Sequence, residues 1–335
     1  MNQEFTRKLE VFAESKKAIE KDFALEYGMS QAVAALLYAI AGQEADTVRM
    51  KESRKILQMK RSFFSAFRDS SELIVLARMA MTVDPERYLD DLIEVFNVFS
   101  QGSFFESGYM VLTAMIICDS DRKADVQQIK TKTDEIMRRM SQKHPLLTDS
   151  EDLALAALLA MTGRDVNDII DDMEECYEYT KKTLRLGADS NSIQALSQII
   201  ALTDDNVKEQ CDKVAELFGA FKDQKAKFGT YLEFPALATL IDVDLPADEL
   251  VGEIIEAAAY LKDSKTLSGL EMDNKTRLMF AAMLASDVYK TGGEDGDGVG
   301  STGAAIAASN ALAMIIAEEV ALLCIMMCAC STVNT

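Results

Sequence analysis

The chain has 335 residues, 49% of them hydrophobic, with four prolines and no tryptophan. That is ample apolar material for a core, and no sustained apolar alternation with a hairpin turn marks a strand, so the expected class is all-α. A net charge of −20 opposes binding to DNA, RNA and anionic membranes, because a nucleic-acid binder needs a basic footprint to displace phosphate counterions.

The charge is unevenly placed. Residues 1–68 carry 12 Lys/Arg and 9 Asp/Glu, whereas the other 267 carry 23 and 46. The opening Met1-Asn2-Gln3-Glu4 has neither the basic nor the apolar segment of a secretion signal. The six cysteines lie in apolar or amphipathic stretches without framework spacing, which fits reduced thiols. The expected location is the cytoplasm.

In chain order, the first helix spans about Asn2 to Phe23, with Phe5, Leu9, Phe12, Ile19 and Phe23 on one stripe. It reads as an N-terminal cap. Short, almost wholly apolar helices follow at Ala32–Gly42, Leu73–Thr82, Tyr109–Cys118, Leu153–Gly163, Ile193–Thr203, Pro235–Asp242 and Arg277–Ser286. Start signals precede several of them: Asp69 with Glu72, Ser103 with Glu106, the capping-box spacing of Thr148 with Glu151, then Asp189 and Asp273. Gly163 is placed to end its helix in the left-handed conformation.

Between the apolar helices run longer, acidic, amphipathic ones. They are expected to begin after Asp46, Asp84, Asp119, Asp165, Asp204 and Leu245, with Pro85 and Pro246 near first-turn positions. In the clearest, Val166 to Leu186, the positions Val166, Ile169, Ile170, Met173, Tyr177, Thr180 and Leu184 share one face, and Gly187 stops it.

Aligning Ala41, Thr82, Cys118, Thr162, Thr203, Asp242 and Ser286 gives steps of 41, 36, 44, 41, 39 and 44 residues. An apolar helix that is hydrophobic all round must be covered all round, and one such pair cannot do that alone. The expectation is therefore a superhelical, α-solenoid-like array of about seven helix-hairpin repeats of roughly 40 residues. Residues 1–290 form the single repeat domain, 291–303 a flexible Gly/Asp-rich linker, and 304–335 an Ala/Met/Cys-rich C-terminal helix.

That last helix has a charge-free run, Val320–Cys330, of only 11 residues, short of the ~20 that span a bilayer. Docking on the last repeat is the first reading, self-association the second, and membrane attachment the third. Asp295 and Asp297 resemble part of a calcium loop, but the twelfth position is Ile306 rather than glutamate. Cys324, Cys328 and Cys330 could hold a soft ion, but with no fourth ligand and no histidine nearby the preferred reading is small buried residues in an Ala/Met helix.

Chemical motifs are scarce. No P-loop, GxGxxG, GxSxG or HExxH occurs. The one histidine, His144, stands before Pro145 at a helix end and reads as structural. DDxxE occurs at Asp90–Glu94 and Asp171–Glu175, the pattern by which all-helical isoprenoid synthases hold magnesium and a diphosphate. No arginine pair stands beside either segment, and both occupy equivalent places in their repeats. The basic stretch Arg49, Lys51, Arg54, Lys55, Lys60 and Arg61 reads as a solvated face, or else as a contact for an acidic partner or a second copy.

The segments Tyr27–Leu57, Gln142–Thr148, Leu153–Tyr177 and Ile193–Leu202 resemble the bacterial domain of unknown function 4003 family, over about residues 2–290. The resemblance implies one helical domain, inside the cell, with no functional residues to carry over.

The reading is thus a cytosolic helical-repeat scaffold that binds a protein or peptide, with no catalytic, cofactor or metal residues assigned. A Mg-dependent prenyl-diphosphate enzyme and a subunit self-associating through its last helix are the alternatives. Limited proteolysis is expected to cleave first within 291–303; early cleavage between 150 and 200 would contradict a continuous array.

Overall fold

The computed structural model describes residues 1–62, 65–68, 71–101, 106–267 and 273–291. Among them every regular element is helical. The tail features named above, including the linker, the Asp295–Asp297 loop and Cys324, Cys328 and Cys330, lie outside the described residues, as do Asp69 and Ser103.

Two kinds of helix alternate. One set is buried on nearly every side: α2 (Gly28–Ile40), α4 (Glu72–Met81), α6 (Gly108–Asp119), α8 (Leu153–Met161), α10 (Ser190–Ile200), a 3₁₀ segment at Phe234–Leu240, and α13 (Asn274–Thr291). In α8, every side chain from Ala154 to Ala160 is at most 7% exposed. The other set buries one stripe and shows the rest to solvent: α1 (Gln3–Asp22), α3 (Thr47–Lys60), α5 (Pro85–Ser100), α7 (Val126–Lys143), α9 (Val166–Glu178), α11 (Val207–Asp223) and α12 (Ala247–Asp263). Short connections between packed neighbours make consecutive helices antiparallel, so all outer helices run the same way.

That common direction sorts the caps. Asn or Asp stands at the start of six outer helices, and in five its side chain accepts a backbone N–H: Asn2, Asp46, Asp84, Asp165 and Asn206. Lysine closes six of the seven: Lys21, Lys60, Lys143, Lys181 with Lys182 on the continuation of α9, Lys222 and Lys262. Both choices complement the helix dipole.

The outer helices are stapled in sequence. Lys51 on α3 pairs with Asp22 at 2.9 Å, and Lys60 with Asp90 on α5 at 2.6 Å. Lys123 before α7 meets Asp91 and Glu94 at 2.5 and 2.6 Å. His144 meets Glu174 on α9 at 2.9 Å, and Lys208 on α11 meets Glu175 at 2.6 Å. Gln224 after α11 donates to the Asp248 carbonyl on α12 at 2.8 Å. The circuit finishes where it began: the amino group of Met1 lies 3.5 Å from Glu253 and 3.2 Å from Glu256, both on α12.

The ends of the array therefore meet, so the first helix, expected from sequence as an N-terminal cap, is packed on both sides. α1 packs on α12 and α13 as well as on α2, and α13 reaches α2. Phe12 stacks on Phe280 with ring centroids 5.6 Å apart, Phe5 meets Tyr289 edge-on at 6.0 Å, and Lys8 pairs with Asp287. The stripe Phe5, Leu9, Phe12 and Ile19, each at most 1% exposed, covers the otherwise bare side of the last apolar helix.

At the other end of four of the apolar elements, cations take up the last carbonyls. Lys8 donates to Ile40 O at 3.1 Å, Arg49 to Thr82 O at 2.6 Å, and Lys213 to Ile241 O at 3.2 Å. Arg164 reaches Ala201 O at 2.7 Å and Thr203 O at 2.6 Å. These groups have no partner within their own helix. Gly42 (φ +66°) and Gly163 (φ +81°) turn the chain there in the left-handed region that glycine adopts without steric cost.

Several boundaries shift from expectation. The capping box before α8 is Asp149 with Asp152, one residue later than Thr148 with Glu151, because a 3₁₀ turn at Ser150–Asp152 precedes the helix. α7 starts after a 3₁₀ turn at Asp125 rather than after Asp119, and α11 after Asn206 rather than Asp204. Pro246 caps α12 instead of entering its first turn. α9 passes at Tyr179 into a π-helical turn to Leu184, and Arg185 (φ +51°) ends it before Gly187.

Since the α1 seam is part of the core, Phe12→Ala is expected to cost about 3–5 kcal/mol, as a Phe removed from mid-array does. Chemical denaturation beside Phe96→Ala checks this; a cost near zero would mean that α1 is a loose cap.

Candidate functional site

The rim where the outer helices finish and the apolar helices begin carries the longer connections, and long connections are where binding groups gather. In one of these connections two carboxyls, Glu151 and Asp152, stand at the start of α8.

Asp152 is 7% exposed. Its Oδ1 accepts from Gln194 Nε2 at 3.0 Å and Gln198 Nε2 at 2.6 Å, both on α10, and its Oδ2 accepts from the Asp149 N–H at 3.0 Å. Burial pushes its pKa up to about 6, against the pull of those hydrogen bonds. Neighbouring Glu151 is pushed up to about 7, first by burial and then by the Asp149 charge, while a hydrogen bond with Tyr109 of α6 opposes the rise. Three apolar helices, α6, α8 and α10, thus meet at two carboxyls that change charge near neutrality. Groups of that kind can move a proton. Asp152 is locked on three donors and serves first as the clamp between α8 and α10.

Beside this pair, His144 caps α7, its N–H donating to Met140 O at 2.7 Å. Its ring lies 4.4 Å from that of Tyr177, whose hydroxyl accepts from Lys181 at 2.7 Å. His144 is a structural link between α7 and α9.

The remaining sequence candidates serve the scaffold. In the DDxxE segments, Asp90, Asp91 and Glu94 hold Lys60 and Lys123, Asp172 holds Arg164 at 2.5 Å, and Glu175 holds Lys208. α7 lies between α5 and α9, so Asp90 and Asp171 do not face each other. Among the described residues no three His, Cys, Asp or Glu side chains are grouped so as to hold a metal ion.

Within the basic stretch Arg54 and Arg61 are engaged within the molecule, whereas Lys51 and Lys55 stay exposed on a solvated face. Arg54 bridges Glu26 at 2.5 Å and Glu72 at 2.7 Å over the Phe23 ring, and Arg61 lies over Phe67 and Phe96 while reaching Glu106 at 3.3 Å. Sequence reading passed over Gln194 and Gln198. Their signal was available: two amides four apart share one face of an otherwise apolar helix.

Residues 15–317 match the model of a family described as a protein of unknown function, DUF4003, and the chain belongs to that family. No curated protein and no solved structure matches it. No helix among the described residues is long and apolar enough to cross a membrane.

The carboxyl pair implies a pH dependence. Asp152 and Glu151 hold their protons to higher pH in the fold than in the unfolded chain, so protonation favours the fold. Their contribution is complete below about pH 4 and is lost as pH rises through about 6 and then about 7. Thermal midpoints of the wild type and Glu151→Gln across pH 5–8 check this. The variant is expected to lose less stability over that range, by about 1–2 kcal/mol after allowance for the partial exposure of Glu151.

Proposed function

We propose that the chain is a closed ring of seven helical hairpins, acting in the cytoplasm as a docking scaffold for a protein or peptide partner. The partner seats on the rim where the outer helices finish. One observation carries this reading. Of six large apolar side chains exposed among the described residues, Leu25, Met59, Leu146 and Tyr231 belong to that rim, with Leu25 and Leu146 at 102% and 96% exposure. No feature of the fold needs these side chains in water, whereas apolar anchors are what a partner buries.

The acidic excess of the opposite rim has a structural use instead. Its connections, 41–46, 82–84, 120–125, 162–165, 201–206 and 241–246, hold ten Asp/Glu against three Lys/Arg, and Asp46, Asp84 and Asp165 among them cap helices. A magnesium and diphosphate enzyme is the weaker reading, because five of its six carboxylates, Asp90, Asp91, Glu94, Asp172 and Glu175, hold lysine or arginine. Self-association through residues 304–335 stands as the second.

The test uses full-length protein as bait in native lysate, with quantitative mass spectrometry. A partner held by the wild type is expected to fall at least tenfold on Leu25→Ser/Leu146→Ser/Tyr231→Ser and to persist on the opposite-rim variant Val83→Ser, a loss of about 1.4 kcal/mol or more. Equal capture by both variants, or loss on Val83→Ser alone, overturns the assignment of the rim.

A further inference from the structure

Cys176 on α9 and Cys211 on α11 face each other inside the wall formed by two consecutive outer helices. Both are fully buried, and their Sγ atoms are 3.2 Å apart. A disulfide holds its sulfurs at about 2.0 Å, so closure asks for a movement of about 1.2 Å, within reach of small χ1 rotations. The Thr180 hydroxyl stands beside both sulfurs, donating to Cys211 Sγ at 3.7 Å and lying 4.0 Å from Cys176 Sγ. Thr180 belongs to the π-helical turn, where α9 leaves regular winding, and it is itself buried.

We infer that Cys176 and Cys211 form a peroxide-sensitive dithiol, which a hydroperoxide converts to a disulfide joining α9 to α11.

The two sulfurs differ. The hydrogen bonds that Cys211 shares with Cys176 and Thr180 hold it below the ordinary thiol range, whereas the bond with Cys211, together with burial, pushes Cys176 up. Cys211 is thus the attacking sulfur. Its thiolate attacks one peroxide oxygen, the O–O bond breaks, and hydroxide leaves and is protonated to water. Cys211 is then a sulfenic acid. Cys176 Sγ attacks that sulfur, the S–S bond forms, the S–O bond breaks, and the second water leaves with the Cys176 proton. Two thiols lose two electrons between them, and one hydrogen peroxide becomes two waters.

Burial selects the oxidant. Hydrogen peroxide is close to water in size and enters with local opening, whereas the tripeptide disulfide of glutathione does not fit between α9 and α11. The third described thiol, Cys118, is a contrast within the chain: burial pushes it up to about 12, and no second sulfur stands beside it among the described residues.

The experiment treats reduced full-length protein with graded hydrogen peroxide, alkylates it under denaturing conditions and maps the peptides by mass spectrometry. Met59, 78% exposed, reports the dose through its sulfoxide. The expected result is a linked pair of peptides carrying Cys176 and Cys211, lighter by two hydrogens, which appears before Met59 is half oxidised. Two of six alkylation sites are lost with it. The oxidised protein should unfold at a higher temperature than the reduced, because the bond closes a loop of the unfolded chain. Cys176→Ser should abolish the link and leave Cys211 trappable as a sulfenic acid. Thr180→Val keeps both sulfurs and should slow the link severalfold. Full oxidation of Met59 with Cys176 and Cys211 still alkylatable overturns the inference, as does preferential linkage of either to another cysteine.

Discussion

A helix with no polar face must be covered on every side, and each apolar helix here depends on neighbours from adjacent hairpins for that cover. The dependence leaves one outstanding side at each end of a row. α1 meets both demands at once by lying against α2, α12 and α13. Magnitudes assign the driving force. A buried Phe contributes about 1.5–3 kcal/mol by transfer alone, whereas an exposed ion pair contributes about 0–1. The Phe5, Leu9 and Phe12 stripe therefore closes the circuit, and the ion pairs between outer helices fix its register.

The one-way run of the outer helices has a second effect. Each choice of an aspartate at a start and a lysine at a finish is a local matter of orphan amides and a helix dipole. Repeated on parallel helices, it separates charge over the whole molecule. At the rim where the outer helices begin, Asp46, Asp84 and Asp165 serve as caps, and at the rim where they finish, lysines take the last turn.

Much of this was legible in the residues. The stretch from Leu153 to Met161 is apolar in every direction and could only be a buried rod; the alternation of such rods with acidic amphipathic helices could be read through the whole chain. Caps at Asp46, Asp84, Asp165 and Asp189 follow from the short side chains that satisfy first-turn amides. Closure was not legible, because the stripe of α1 has the same pattern whether it covers one neighbour or three. The roles of Arg54, Arg61 and the DDxxE carboxylates were hidden for a related reason: charge at helical spacing does not say whether its partner is water or the next helix. Asp152 escaped notice because its burial depends on Gln194 and Gln198, some 40 residues later in sequence and on another helix.

The seam between α1 and α13 also bears on how such a molecule comes apart. A linear array loses its terminal units first and unravels inward, one weakly held repeat at a time. A circuit has no terminal unit, so any hairpin that opens must give up two interfaces together. Partial unfolding is thereby made costly everywhere along the wall, and the amide protons of the first helix should be as slow to exchange as those at the midpoint of the chain.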